Sequence, residues 1–250
     1  MFRMLKLKPP HGWNAVAWEL VIVTIGVLMA LFLQQWAEEV GSQSKTARAR
    51  QAIKQELGDH FFNAVEWRTF SPCLTGQLER IERKIVASGP TLQPIEPREI
   101  SKIRVSVMAP SRIYDASAWQ GAINDGTAFQ LSEVERRQLT NEHFLASKMD
   151  NMEDEWAAAD ENLLAATRSI SIDPAVKLAL LNSVDRMHVA NERMDEAAAE
   201  IIFWTRLFRA APSRSEVRAD LTRNSVVMSY FCQHQGLPTR TLATSLDPNS

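Results

Sequence analysis

Residues 15–33 read AVAWELVIVTIGVLMALFL, and this stretch decides the architecture that we expect. It contains 14 consecutive residues without a charge. An α-helix over the interval from Trp18 to Trp36 would span roughly 27 Å, close to the ~30 Å hydrocarbon core of a bilayer. Trp13, Trp18 and Trp36 flank the apolar run, as interfacial anchors do. We therefore predict a transmembrane helix over residues 13–36, in contact with a lipid bilayer.

Two other structures could give the same apolar run. The helix of a buried protein core is one, since the uncharged run is shorter than the ~20 apolar residues usual for a span. A cleaved signal peptide is the other, but cleavage after Ala30 or Ala37 would place Leu28 or Gln35 where a small residue is needed. The sequence therefore favours an uncleaved signal anchor.

The charges on the two sides of the anchor bear on its orientation. Residues 1–12 are short and contain only basic charges, whereas the acidic Glu38 and Glu39 come directly after the span. Further basic residues follow at 45–50, so the lysine and arginine counts of the two flanks nearly tie. We expect residues 1–12 to be a cytoplasmic tail in a bacterial inner membrane and the C-terminal domain to be periplasmic.

One face of the anchor combines an acid with small residues. Glu19, Val23, Gly26 and Ala30 step by 4, 3 and 4 residues, so they share a helix face. Gly26 and Ala30 form a small-xxx-small pair, which lets another helix approach closely. We expect this face to pack against another membrane protein or a second copy of the chain. The alternatives are that the small residues fall on this face by chance and that Glu19 simply snorkels to the lipid headgroups.

Residues 37–235 read as a helical domain with no convincing strand. Gly89-Pro90 and Asn124-Asp125-Gly126 read as helix stops. Helix starts are expected at Ser71-Pro72, at Asp173-Pro174 and at the capping boxes Ser132–Glu135 and Ser213–Glu216. Short helices are expected near 98–105 and over 114–124. The last helix should run to about Phe231, and residues 236–250 read as a C-terminal tail.

Two long helices carry apolar stripes that predict a packed bundle. The first stripe is Leu145, Met149, Met152, Trp156 and Leu163; the second is Leu180, Val184, Met187, Asn191, Met194, Ala198, Ile201, Thr205 and Phe208. The second alternates steps of 4 and 3, a sustained heptad seam in which Asn191 would set register. We predict an all-α fold: a transmembrane helix continuous with a periplasmic bundle that contains two long antiparallel helices.

The two cysteines, Cys73 and Cys232, depend on the compartment for their interpretation. They form no CxxC pair, which argues against a zinc or thioredoxin-like site. In the cytosol they would be buried thiols, and in an exported domain a disulfide. The periplasmic orientation therefore makes a Cys73–Cys232 disulfide the expected state.

The sequence offers little chemistry. Its formal net charge is -2 with no basic block, which argues against nucleic-acid binding. The usual nucleophile, phosphate-binding and metalloprotease motifs are missing, and Ser42–Lys45 matches S-x-x-K without its companion motifs. No histidine sits in an E-x-x-H arrangement, and the adjacent pairs Asp59-His60 and Glu142-His143 should diverge on a helix. We expect no catalytic, cofactor-binding or metal-binding residues. The acidic run 150–155 reads as a solvated helix face.

The layout resembles an uncharacterised family of bacterial single-pass inner-membrane proteins. The features that resemble it are the segment 18–31 (WELVIVTIGVLMAL), Trp36, the positions of Cys73 and Cys232, and the segment Tyr114–Trp119. The resemblance covers most of the chain, and it implies a membrane anchor and a helical periplasmic domain. It implies no activity.

The function expected from these features is that of a membrane-anchored structural or interaction protein, such as an accessory subunit or scaffold. The alternative is a small-molecule-sensing helical bundle, because such bundles bind ligands between their helices. A tail of 12 residues is too short for an output domain, so a sensor would signal through a partner protein. An enzyme is the third and least supported possibility.

Overall fold

The computed structural model describes residues 13–96, 98–100 and 103–247, and the expected cytoplasmic tail 1–12 lies outside them. The described residues are mostly helical, as the all-α prediction requires. The α-helices in this part of the chain are α1 (Trp13–Ala87), α2 (Ser117–Asn124), α3 (Glu133–Leu164), α4 (Pro174–Leu207), α5 (Arg214–Asn224), α6 (Val226–His234) and α7 (Leu242–Ser245). Short 3-10 turns cover Thr127–Gln130 and Ala165–Thr167.

The chain divides into two compact units, Met1–Ala49 and Arg50–Ser250. In the first unit, the helix is apolar on every face over residues 20–33, and each large apolar side chain from Trp18 to Val40 is at least 43% exposed. By length and composition, α1 is the one helix among the described residues that could cross a membrane, and none of its apolar window is buried. The candidate span that we predicted therefore exists as an exposed apolar helix.

The core of the second unit forms between the second half of α1 and the hairpin of α3 and α4. Ile53, Leu57, Phe61 and Val65 on α1 are all buried, as their helical spacing predicts. All five positions of the α3 stripe and all nine of the α4 seam are buried as well. Residues 165–173 connect α3 to α4, and the two helices pack along each other. The helical bundle predicted from the two stripes is therefore present.

The predicted helix ends at the two capping boxes, at Asp173 and at Gly126 are right. Both capping boxes form: the Ser132 and Ser213 hydroxyls accept the backbone N–H three residues on, and Glu135 and Glu216 bond back to the cap residues. Asp173 caps α4. Gly126 follows α2 with a φ of 79°, the left-handed conformation that glycine adopts without strain.

The predicted helix start at Ser71-Pro72 is wrong, because α1 continues through Pro72. Proline has no N–H, so it cannot bond to the carbonyl of Arg68, four residues earlier. Arg240 fills this gap, since its guanidinium Nη1 donates to the Arg68 carbonyl at 3.1 Å and its backbone N–H donates to the Thr69 carbonyl at 3.0 Å. A contact from 170 residues away thus keeps the helix continuous.

The same contact corrects the prediction that residues 236–250 are a tail. Up to Asp247, where the described residues end, this segment packs on the second unit. Leu246 is 4% exposed, and Ser245 is fully buried beside Thr69, which donates a hydrogen bond to its hydroxyl. The Arg240 guanidinium also pairs with Asp195 of α4. The packed region therefore extends beyond residue 235.

Four short strands replace helix or loop that the sequence predicted. Thr91–Leu92 pairs antiparallel with Ile170–Ser171, and Arg98–Ile100 pairs antiparallel with Ile103–Val105. The short helix predicted near 98–105 and the absence of strands are both wrong. Strands of two or three residues are too short to show a period in the sequence, so pattern analysis misses them.

The last predicted helix is also interrupted. It breaks at Ser225 into α5 and α6, where the Ser225 hydroxyl donates a hydrogen bond to the buried carboxylate of Glu66 on α1. Beyond the break, Cys232 of α6 lies at disulfide distance from Cys73 of α1, with an S–S distance of 2.09 Å and a Cα–Cα distance of 5.9 Å. Both cysteines are fully buried. The predicted pairing is thus consistent with the fold.

Candidate functional site

The most polar part of the core lies where α1 faces α3. Glu56 and His60 are four residues apart on α1, one turn of helix, and Glu142 and His143 are adjacent on α3. All four side chains are buried, with relative exposures of 1–7%. Charged and imidazole side chains are rarely buried this deeply without a role for their polar atoms, so each partner matters.

His60 has acceptors at both ring nitrogens. Nε2 lies 2.7 Å from the backbone carbonyl of Asp115, and Nδ1 lies 2.8 Å from Oε1 of Glu142. A carbonyl only accepts, so Nε2 carries a proton. Burial alone would lower the pKa of His60, but the hydrogen bond and charge of Glu142 outweigh burial and raise it. The contact with Glu142 therefore favours the protonated form of His60.

His143 lies beside this pair with little hydrogen bonding of its own. Its Nε2 is 3.2 Å from Oε1 of Glu56 and its Nδ1 is 3.8 Å from Oε2 of Glu142, yet neither nitrogen has a hydrogen bond of acceptable geometry. Its ring stacks on Trp119 with an interplanar angle of 5°. Burial and the neighbouring His60 lower the pKa of His143 to about 3, so the ring is neutral and keeps a lone pair.

Glu56 has a structural task as well. Its carboxylate accepts the backbone N–H groups of Ala118 at 2.6 Å and Trp119 at 3.3 Å, at the start of α2. Ala116, the residue before α2, provides no side-chain cap, so Glu56 takes that place from another helix. Burial raises the pKa of Glu56 even though the two N–H groups oppose the shift.

Unsatisfied atoms remain in the cluster. Oε2 of Glu142 and both ring nitrogens of His143 are buried and lack a hydrogen-bond partner. A buried polar atom without a partner costs about 1–3 kcal/mol. A cleft of about 280 Å³ reaches the cluster from the surface and is lined by Glu56 and His60, together with Asp59, Ile113 and Asp115.

The arrangement can hold a cation. His60, Glu142 and His143 each offer one ligand atom, and these three atoms lie within 4.8 Å of one another. We expected no metal-binding residues, in part because adjacent helical residues diverge. That expectation is wrong, because Oε2 of Glu142 lies 3.8 Å from Nδ1 of His143. His60 of α1 completes the group, since its ring lies 5.6 Å from the His143 ring and also contacts Glu142.

A sequence signal for this cluster existed. Glu56 and His60 occupy the same face as the buried Ile53, Leu57 and Phe61, so they are polar residues within an apolar stripe. Glu56 and His60 form an E-x-x-x-H pair, which differs by one residue from the E-x-x-H pattern of metal-binding bundles. Its connection to Glu142 and His143 depends on helix packing, which no spacing within the sequence predicts.

The predicted transmembrane residues lie on the exposed helix of the first unit. Glu19, Val23, Gly26 and Ala30 are all exposed, and a Cβ placed on Gly26 would meet no atom within 4 Å. Trp18 and Trp36 are 68% and 60% exposed. Trp13 is the first residue of α1, and its side chain lies outside the described part. These residues remain predictions for a membrane environment.

A second cleft lies in the second unit, Arg50–Ser250. It has a volume of about 580 Å³ and is lined mainly by apolar and acidic side chains, among them Trp67, Val107, Trp156 and Glu153. The buried indole N–H of Trp67 has no hydrogen-bond partner. Glu153 is only half-buried. The backbone N–H of Tyr114 donates to Asp150 and that of Arg112 donates to Glu153. The acidic run 150–155 is therefore not simply a solvated face.

Comparisons with protein-family models, with curated proteins and with solved structures find no match to this chain. The function must therefore be argued from the geometry alone.

Proposed function

We propose that this chain is a membrane-anchored structural or interaction protein, an accessory subunit or scaffold of the bacterial inner membrane. Residues 1–12 would be cytoplasmic and the helical domain periplasmic. The observation that carries this proposal is the exposure of every large apolar side chain from Trp18 to Val40. Burial of one large apolar side chain is worth about 1.5–3 kcal/mol, so lipid or another protein must cover this surface.

The small-residue face supports an interaction within the membrane. Gly26 and Ala30 leave an open notch, since nothing within 4 Å of a Cβ at Gly26 would obstruct a neighbouring helix. Close approach of two helix backbones maximises the van der Waals contact that drives association in lipid. Glu19 shares this face, so it could also fix the partner through a hydrogen bond.

The cysteine pair supports the periplasmic side. Disulfides persist in the periplasm and are rare in the cytosol. Cys73 and Cys232 lie at disulfide distance and both are fully buried.

Association is tested with the full chain extracted from membranes in a mild detergent. We expect it to recover a second membrane protein or to form a dimer, and Gly26→Ile to reduce that association about tenfold or more. Thr24→Ile is the matched control, because residue 24 lies about 200° around the helix from residue 26. A chain recovered alone as a monomer, or equal association of both variants, would refute the interaction role.

Because both cysteines are fully buried, topology is tested by labelling thiols in denaturant, before and after reduction, and by measuring the intact mass. We expect the cysteines to be labelled only after reduction, and we expect an intact mass that includes residues 1–36. A signal sequence meets the same criteria of length and composition as an anchor. Loss of the N-terminal segment would therefore contradict the anchor, and free thiols in the native protein would contradict the periplasmic location.

The second candidate function is ligand sensing through a partner protein. The cleft of about 580 Å³ favours it, because Trp67 and Trp156 form its apolar wall and the Trp67 N–H has no partner. A small aromatic compound with a hydrogen-bond acceptor would fit this chemistry. A thermal-shift screen tests it: a compound should raise the Tm of the wild type but not of Trp67→Phe. A screen without any such compound would count against sensing.

A further inference from the structure

The buried cluster between α1 and α3 brings one ligand atom each from His60, Glu142 and His143 within 4.8 Å of one another. The nitrogens that approach the Glu142 carboxylate are Nδ1 of His60 and Nδ1 of His143. One carboxylate oxygen lies 2.8 Å from Nδ1 of His60 and the other lies 3.8 Å from Nδ1 of His143. Two imidazole nitrogens and one carboxylate are a common ligand set for zinc and other first-row transition-metal ions.

The outer nitrogens of the two rings support the same assignment. Nε2 of His60 donates to the Asp115 carbonyl at 2.7 Å, and Nε2 of His143 faces Oε1 of Glu56 at 3.2 Å. Histidines that bind metals nearly always direct the second ring N–H at a carbonyl or a carboxylate, which fixes the ring and leaves the other nitrogen free to coordinate. His60 makes this hydrogen bond, whereas Nε2 of His143 lies 3.2 Å from the Glu56 carboxylate without a hydrogen bond of acceptable geometry. In each ring Nδ1 is the nitrogen that approaches Glu142.

The unsatisfied atoms are an independent observation. Oε2 of Glu142 and both nitrogens of His143 have no hydrogen-bond partner, although the two side chains are only 2% and 7% exposed. Buried polar groups in proteins are normally satisfied, and each exception calls for an explanation such as an ion. A cation bound by Glu142 and by Nδ1 of His143 would satisfy the inward-facing atoms.

We propose that His60, Glu142 and His143 bind one divalent transition-metal ion, for which Zn²⁺ is the best match. A tetrahedral ion with bonds of about 2.0–2.1 Å holds its ligand atoms about 3.3 Å apart. The three ligand atoms lie within 4.8 Å of one another, so the side chains must draw together by at most about 1.5 Å. The ion would take the place of the proton between His60 and Glu142.

Glu56 acts as a positioning residue in this site. It holds α2 by accepting the N–H groups of Ala118 and Trp119, and its Oε1 faces the outer nitrogen of His143. Trp119 in turn stacks on the His143 ring. The cleft lined by Glu56 and His60 provides a path for the ion to enter. The bound ion would thus join α1 and α3 and support the start of α2.

The test uses the full chain, purified in detergent without a histidine tag and without reductant, so that the cysteines stay paired. After treatment with EDTA and desalting, Zn²⁺ is titrated by calorimetry. We expect one ion per chain and a rise in Tm on binding. Co²⁺ should give visible absorption bands typical of a tetrahedral site with nitrogen and oxygen ligands.

His143→Gln is the informative variant. Because the His143 nitrogens make no hydrogen bonds in the protein alone, this change should leave the fold intact, which circular dichroism and the disulfide check. Loss of a ligand should weaken Zn²⁺ binding at least about 100-fold, beyond the effect of losing an outer partner. Glu56→Gln, which keeps the side-chain shape, should weaken it about tenfold.

His234→Gln is the matched control, since His234 is exposed on α6 and far from the cluster in sequence. It should bind Zn²⁺ as the wild type does and give the same Co²⁺ bands. Wild-type protein that binds no stoichiometric Zn²⁺ would overturn the proposal, leaving the cluster as a buried ion pair. Equal affinity of His143→Gln and wild type would overturn it as well.

Discussion

Two stretches of α1 have similar apolar side chains and opposite surroundings. From Trp18 to Val40 every large apolar side chain is at least 43% exposed, whereas Ile53, Leu57, Leu74 and Leu78 are no more than 1% exposed. The second stretch buries its apolar residues against α3 and α4. The first finds no such partner among the described residues. The same helix therefore has one half that the chain covers itself and one half whose apolar side chains are exposed among the described residues.

The sequence pattern explains this difference. In the second stretch polar residues interrupt the apolar ones, and between residues 60 and 78 no side chain is exposed, so Glu66 and Gln77 are buried beside apolar neighbours. Other parts of the chain supply their partners, since Ser225 bonds to Glu66 and Met108 to Gln77. In the first stretch residues 20–33 are uncharged, and apolar side chains surround the helix. Buried polar residues with partners, more than hydrophobicity, separate the core helix from the candidate span.

The sharpest way to break this comparison is a pair of identical substitutions. Leu78→Ala, at 0% exposure, should lower the free energy of unfolding by about 3 kcal/mol, because it loses buried surface and leaves a cavity. Leu28→Ala, at 61% exposure, should change it by less than about 0.5 kcal/mol. Urea unfolding in a mild detergent, followed by tryptophan fluorescence, measures both. Equal losses would show that the first stretch also packs against the domain.

The proline within the second stretch allows a finer test of how the chain covers itself. Arg240→Met removes the hydrogen bond to the Arg68 carbonyl and the pair with Asp195, and should destabilise the domain by about 2 kcal/mol. Pro72→Ala restores an amide N–H for that carbonyl. In the Pro72→Ala background the cost of Arg240→Met should therefore fall by about 1 kcal/mol, a coupling energy within the usual range.

Urea unfolding of the four proteins in this cycle gives the coupling. Arg240→Met keeps the apolar stem of the side chain, so packing changes little. If the loss is the same in both backgrounds, Arg240 does not compensate for Pro72, and the Asp195 pair alone accounts for its effect.

Local rules predicted much of the fold. The capping boxes at Ser132 and Ser213 and the stop at Gly126 depend on residues three or four positions apart, so the sequence alone displays them. The nine positions of the α4 seam followed from a single period, and all are buried. These features needed no knowledge of how distant parts of the chain meet.

Several of the errors involve distant contacts. Arg240 donates to the carbonyl that Pro72 leaves without its helical N–H, and the break at Ser225 coincides with its bond to Glu66. The candidate metal site joins His60 to a pair on α3 that lies 82 residues further on. Each residue alone looked ordinary in the sequence. Only the packing of the helices gives the cluster its geometry, so no motif in the sequence identifies the cluster.

The smallest expected effect concerns a charge beside the second stretch. Burial, with smaller contributions from the neighbouring Asp150 and Asp154, raises the pKa of Glu153 to about 7, although the N–H of Arg112 opposes the shift. Arg104, Asp160 and Glu161 line the same cleft. The folded protein then holds a proton that the unfolded chain releases near pH 4.5, so Glu153 makes stability fall as pH rises from about 4.5 to about 7.

Glu153→Gln should flatten this slope, seen as urea midpoints that differ less between pH 5 and pH 8. Asp154→Asn, at an exposed position, is the control and should keep most of the slope. An unchanged slope in Glu153→Gln would assign the pH dependence to another group of the domain.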